Sequence, residues 1–170
     1  MSARAEALAK QFDAKAAEMT EAIRTLSDAD WKKVTEAEKW PVGVTAHHVA
    51  GSHEPILGII KTVAAGKSIP NFTMAMLDEA NAKHARDYAG CTKAETLELH
   101  QKGAAGAAAG VRGLSDADLD QSGVVLTGAS AMTAQQVVEG ILISHITSHL
   151  ESIRKTIGRC PSACGPLPTC

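Results

Sequence analysis

Two histidines stand four residues apart near the end of the chain, His145 and His149. They fall in a stretch from Thr133 to Ile157 in which apolar residues recur at helical spacing. Side chains four residues apart lie on the same face of a helix, one turn above the other. Both imidazoles can therefore point at one place, and neutral imidazole nitrogens bind zinc, nickel or iron well. Two ligands rarely hold a metal, so we expect a third from another helix.

A second group of histidines lies in the region from Val44 to Ala65, which also reads as a helix. Its apolar stripe brings one flank into the core. His48 is next to that stripe, whereas His47 points about 100° away from it. His53 follows five residues after His48, which predicts a position near the rim of the bundle, where a role as a ligand is not expected. The spacing alone favours His48 as the partner of the later pair but leaves the choice open.

Composition excludes several classes of protein. A chain of 170 residues with net charge -2 and no basic run is one ordinary domain without an expected nucleic-acid partner. No apolar run reaches about 18 residues, so no membrane span is predicted. The first residues read as the start of an amphipathic helix and not as a secretory signal, which predicts a cytoplasmic protein. Low aromatic content (3%) and abundant alanine favour closely packed helices.

Hydrophobic periodicity predicts an all-α four-helix bundle. A long connection between the second and third helices carries one short extra helix, and a loop at 122–131 with some extended character precedes the last helix. Thr92 and Glu95 form a capping box that opens the third long helix. Glycines in this helix indicate close approach by a neighbouring helix. In chain order the five predicted helices are Ala3–Leu26, Val44–Ala65, Met74–Tyr88, Thr92–Arg112 and Thr133–Ile157.

The sequence also contains a short internal repeat. The word Leu-Ser-Asp-Ala-Asp occurs at 26–30 and again at 114–118, and at the same offset Thr45-Ala46 lines up with Thr133-Ala134. Two matches at one offset suggest two related helix-turn-helix halves.

Several of these residues together resemble the DinB-like (YfiT-like) metalloprotein superfamily, over about Ala5 to Ile157. They are Trp40 followed eight residues later by His48, then Asn81, then His145-x-x-x-His149 with Ile153-Arg154 after it. The resemblance implies one divalent metal on His48, His145 and His149, with zinc as the first expectation and nickel or iron as alternatives. Relatives include thiol S-transferases, which implies a small-molecule thiol and an electrophile as partners. A homodimer is left open.

The remaining candidates have structural interpretations. His84 is expected to be solvated, and His100 to be a partly buried, hydrogen-bonded histidine. Trp40 is expected to close one end of the bundle, with substrate contact as the alternative. Glu54 and Glu139 could support the metal ligands through hydrogen bonds, although an exposed face explains them equally well.

The last twelve residues form a separate region. Residues 1–158 are expected to form the bundle, and residues 159–170, with Cys160, Cys164 and Cys170 among three prolines, a flexible tail. The first expectation is a metal-dependent thiol transferase, with the metal activating a low-molecular-weight thiol or water. One alternative is a peptide precursor whose tail is altered by peptide-modifying enzymes. A non-catalytic metal-binding stress protein is another.

Overall fold

The computed structural model describes residues 2–158 of the chain. Within this range the structure is mainly helical, as predicted. The expectations for the tail, residues 159–170, fall outside the described residues.

The first half of the chain supplies two of the four long helices. Helix α1 (Ala3–Thr25) begins where the Ser2 side chain accepts a hydrogen bond from the Ala5 amide, and its apolar stripe is buried. A short helix α2 (Asp28–Lys32) follows, and then α3 (Val42–Ala64). α3 carries Pro55 in its interior. Because proline has no amide hydrogen, it cannot donate the usual helical hydrogen bond to the carbonyl one turn earlier.

The second half supplies the other two. Helix α4 (Met74–Asp87) lies in the long connection and has no fully buried residue. Helix α5 (Lys93–Arg112) begins with the predicted capping box. After the short helix α6 (Asp116–Asp120), strands β1 (Ser122–Gly123) and β2 (Met132–Thr133) pair antiparallel and flank the predicted loop.

The last helix is continuous but not uniform. It runs from α7 (Ala134–Val137) through a π-helical segment (Val138–Ile143) into α8 (Ser144–Thr156). Periodicity predicted one regular helix, and the wider π turn is a departure from it. Gly140 lies inside this segment, and π-helical turns inserted in α-helices are often found at functional sites.

The bundle places α1 diagonally opposite α3. Each of these two helices packs against both α5 and the last helix. The predicted role of glycine in α5 is confirmed at two positions. A Cβ on Gly110 would lie 2.5 Å from the Leu57 side chain, and one on Gly103 would lie 3.2 Å from the Ala50 carbonyl oxygen. These short separations let α5 approach α3 closely.

The repeated five-residue word forms the same local structure twice. Ser27 accepts a hydrogen bond from the Asp30 amide at the start of α2, and Ser115 does so from the Asp118 amide at the start of α6. The internal repeat therefore corresponds to two equivalent serine-capped turns, each of which follows a long helix.

No helix among the described residues is long and apolar enough to cross a membrane.

Candidate metal centre

Three histidines from two helices meet on the inner side of the bundle. His48 comes from α3, and His145 and His149 come from α8. One ring nitrogen of each lies within 4.8 Å of the corresponding nitrogens of the other two. The Nε2 atoms of His48 and His145 are 3.0 Å apart, and the ring centres of His145 and His149 are 4.5 Å apart. The structure thus brings together the three residues that the sequence singled out.

The separations suit one shared metal ion. Two nitrogens on a single tetrahedral zinc lie about 3.3 Å apart, given metal–nitrogen bonds of about 2.0–2.1 Å. The 3.0 Å between the Nε2 atoms of His48 and His145 is close to this value. Three histidines would occupy three of the four positions that zinc prefers and would leave the fourth to a ligand from outside the protein. Both the geometry and the chemistry of these donors therefore fit a divalent metal.

A partly buried carboxylate orients one member of the cluster. His149 Nδ1 lies 2.8 Å from Glu38 Oε1, and the Ser152 hydroxyl donates to Glu38 Oε2 over 2.6 Å. Because a carboxylate only accepts, His149 Nδ1 is the donor, and in the neutral ring this leaves the lone pair on Nε2. Burial raises the pKa of Glu38. Hydrogen bonds from Ser152, Thr35 and His149 together lower this pKa by a larger amount, so the net shift is downward. Carboxylates commonly orient metal-binding histidines in this way.

The surroundings keep two of the three rings, His48 and His145, neutral. Burial, reinforced by the neighbouring His149, lowers the pKa of His48 to about 4 and that of His145 to about 3. Both rings are therefore uncharged at neutral pH. A neutral imidazole is the form that binds a metal, so neither ring has to lose a proton first.

The cluster lies in the wall of a pocket of about 570 Å³. Trp40 lines this pocket with its ring centre 5.4 Å from that of His48. Trp40 is partly buried and borders the site. The pocket also receives Leu77, Asn81 and His84 from α4, which covers one side of the site. Its volume falls within the range of small-molecule binding sites.

The protein family is shown by comparison of the sequence with family models. The model of the DinB superfamily matches residues 11–153. The chain belongs to the DinB superfamily. The matched range includes all three histidines of the cluster and the four long helices apart from the ends of the first and the last.

One solved structure similar to this DinB-superfamily chain is YfiT from Bacillus subtilis. It is described as "a probable metal-dependent hydrolase with an unusual four-helix bundle topology". The two chains share 16% sequence identity, the TM-score is 0.73, and the alignment covers 94% of this chain and 91% of that chain. At this identity the similarity shows the fold, and it confirms the predicted DinB-like bundle. No match to a curated protein was found.

His84 was expected to be solvated, and this prediction is wrong. Its Nε2 lies 3.2 Å from Nδ1 of His47, its ring centre is 5.3 Å from that of His48, and it lines the pocket. His47 itself is buried and stacks on Tyr88. The sequence missed this arrangement because α4 has no fully buried residue that would mark the face it turns toward the bundle.

His53 and His100 form a second hydrogen-bonded pair in this DinB-type bundle. His53 is 1% exposed and therefore does not lie at the rim, as its spacing had suggested. Its Nε2 lies 3.0 Å from Nδ1 of His100, and Nε2 of His100 lies 3.0 Å from the Ala16 carbonyl oxygen, to which it donates. Burial lowers the pKa of both rings, that of His53 to about 3. The hydrogen-bonded role expected for His100 is confirmed, although its burial is complete.

The supporting carboxylate is Glu38, which the sequence did not suggest. Glu54 and Glu139 are both exposed, and Glu139 accepts a hydrogen bond from Gln135. Glu38 lies between α2 and α3, where no periodicity exists to place it. Its position two residues before Trp40, close to the residues that carried the resemblance, was the one available signal.

We expect Glu38→Gln to weaken metal binding by about 10–100-fold, because removing such an orienting group commonly has this effect. The amide cannot hold the His149 ring as a charged acceptor does. Zinc affinity measured by competition with a chromophoric chelator tests this. Glu36→Gln is the matched control, because Glu36 is exposed and pairs with Lys155. Equal affinities for the two variants would contradict the orienting role of Glu38.

Proposed function

We propose that this protein is a metal-dependent transferase that joins a low-molecular-weight thiol to an electrophile. The observation that supports it is the three-histidine cluster, which leaves a metal position open toward a pocket. A closed structural site would use four protein ligands, whereas a catalytic site keeps one position for water or substrate.

The chain's own residues prepare the site. His48, His145 and His149 would hold the metal through neutral nitrogens, and Glu38 fixes the orientation of His149. A divalent metal in this position holds a thiol as thiolate or lowers the pKa of water to about 7. Trp40 and Asn81 lie in the wall beside the cluster and can orient a second molecule against it.

Hydrolysis is a second candidate, because the similar structure YfiT is described as a probable metal-dependent hydrolase. The same three histidines would serve both reactions, and the nucleophile, thiol or water, is what distinguishes them. Both belong to the chemistry expected of an open metal site.

A comparison of two substrates separates these candidates. Zinc-loaded and chelated full-length protein are each given an aryl chloride with a thiol, and an activated ester without one. We expect thiol conjugation that depends on zinc and is lost in His145→Ala, with Glu36→Gln as the unaffected control. Circular dichroism confirms that chelated protein and variants stay folded. Ester hydrolysis without thiol conjugation would favour the hydrolase. If both activities survive chelation, the metal is not catalytic.

A further inference from the structure

The pocket beside the cluster has predominantly apolar walls. Its lining comes from α3, from the segments around α4, from the loop between the two short strands and from the π-helical segment. These elements contribute large apolar side chains, represented by Ile59, Phe72, Leu77, Leu126 and Ile141. Such walls stabilise an apolar molecule by removing its surface from water.

The pocket lining holds no lysine or arginine to pair with an anion, and all of its residues lie in the described part of the chain. Of the cations on α4, Lys83 pairs with Asp87, and neither Lys83 nor Arg86 lines the pocket. Asn81 contributes an uncharged amide. An anionic group would therefore lose its hydration on entry without gaining a lysine or arginine partner from the protein.

The charge of the site is balanced before a second substrate arrives. Glu38 is the one acidic residue of the lining, and its carboxylate is engaged by His149 and Ser152. On the proposed function, the metal's two positive charges would be matched by Glu38 and by the bound thiolate. No net positive charge is then left to attract a carboxylate or phosphate.

We propose that this pocket binds an uncharged electrophile with an alkyl or aryl body and selects against anionic ones. This inference rests on the proposed function, whose second substrate it describes. In the reaction the thiolate sulfur bonds to the electrophilic carbon, and the leaving group departs with the bonding electron pair. The thiol's proton passes to solvent.

A pair of isosteric compounds tests the selection by charge. Binding of 4-phenylbutanamide and 4-phenylbutanoate to the full-length chain is measured by calorimetry, with zinc bound and after chelation. We expect the amide to bind at least about tenfold more tightly to the chelated protein, and to the zinc-bound protein once a thiol occupies the open metal position, since the carboxylate then loses its hydration without a positively charged partner. The chelated protein removes direct ligation of the carboxylate to zinc as an explanation. Equal affinity in the chelated protein, or no binding of the amide, would overturn the proposal.

Two variants of α4 localise the effect. Leu77→Arg adds a positive charge to the pocket wall and is expected to reduce or reverse the preference for the amide. Met76→Arg adds the same charge to the preceding position, which is exposed and outside the pocket lining. This variant should leave the preference for the amide unchanged. An identical response of both variants would contradict binding in this pocket. A preserved preference for the amide without zinc-dependent turnover would refute the proposed transferase but not the apolar, uncharged ligand.

Discussion

Replacing His145 or His149 with alanine is expected to abolish stoichiometric metal binding, whereas the untagged full-length protein should hold about one divalent ion. Each variant leaves two of the three nitrogens that now lie within 4.8 Å of one another. Losing a direct ligand should cost more than the about 10–100-fold expected from losing an orienting group. The ions are counted by elemental mass spectrometry after dialysis against zinc.

His47→Ala is the control within the same histidine-rich region, because His47 contacts His84 and Tyr88 instead of the cluster. Its metal content should equal that of the wild type. The cysteines at 160, 164 and 170 could also bind zinc. Cobalt substitution distinguishes binding to these cysteines from binding to the histidine cluster, because thiolate ligation produces a charge-transfer absorption that imidazole ligation does not. Full occupancy in both helix α8 variants would refute the site.

Acid is expected to destabilise the metal-free protein strongly through the buried histidine pair. Burial lowers the pKa of His53 to about 3, while an unfolded histidine titrates near 6.5. As the pH falls below the pKa of His53 in the unfolded chain, the unfolded state binds a proton that the folded state does not. Stability therefore declines between about pH 6.5 and pH 3. From about pH 7.5 to about pH 4.5, His53 alone should cost about 3 kcal/mol.

Denaturant unfolding of chelated protein at the two pH values measures this loss. The matched comparison is the double variant His53→Leu with His100→Leu, which replaces both partners of the hydrogen bond by apolar groups. It retains the cluster histidines and therefore their share of the acid sensitivity. We expect the wild type to lose about 3 kcal/mol more than the double variant. Parallel losses in the two proteins would show that the pair does not dominate acid stability.

Local signals in the sequence predicted most of the fold. The capping box of Thr92 and Glu95 placed the start of α5 to within one residue, because both partners lie within one turn. The apolar stripes placed the four long helices because their repeat of three to four residues is also a local pattern. The π-helical segment was not predicted, because Val138–Ile143 keeps an apolar character that a regular α-helix would also show.

The site was predictable in part. His145 and His149 share a helix, so their spacing alone placed them on one face. His48 needed the resemblance, because only the packing of α3 on α8 brings it to His145, 97 residues later. Glu38 lies 111 residues from His149, in a segment without periodicity, and no local pattern connects the two. The pair of His53 and His100 likewise depends on how α3 meets α5.

Anomalous diffraction from a crystal of the zinc-loaded protein is expected to show whether the three histidines bind the metal. We expect one zinc peak bonded to Nε2 of His48, His145 and His149 at about 2.0–2.1 Å, with a fourth position facing the pocket. Nδ1 of His149 should keep its hydrogen bond to Glu38. Zinc bound to sulfur at about 2.3 Å, or located away from the three histidines, would contradict this expectation.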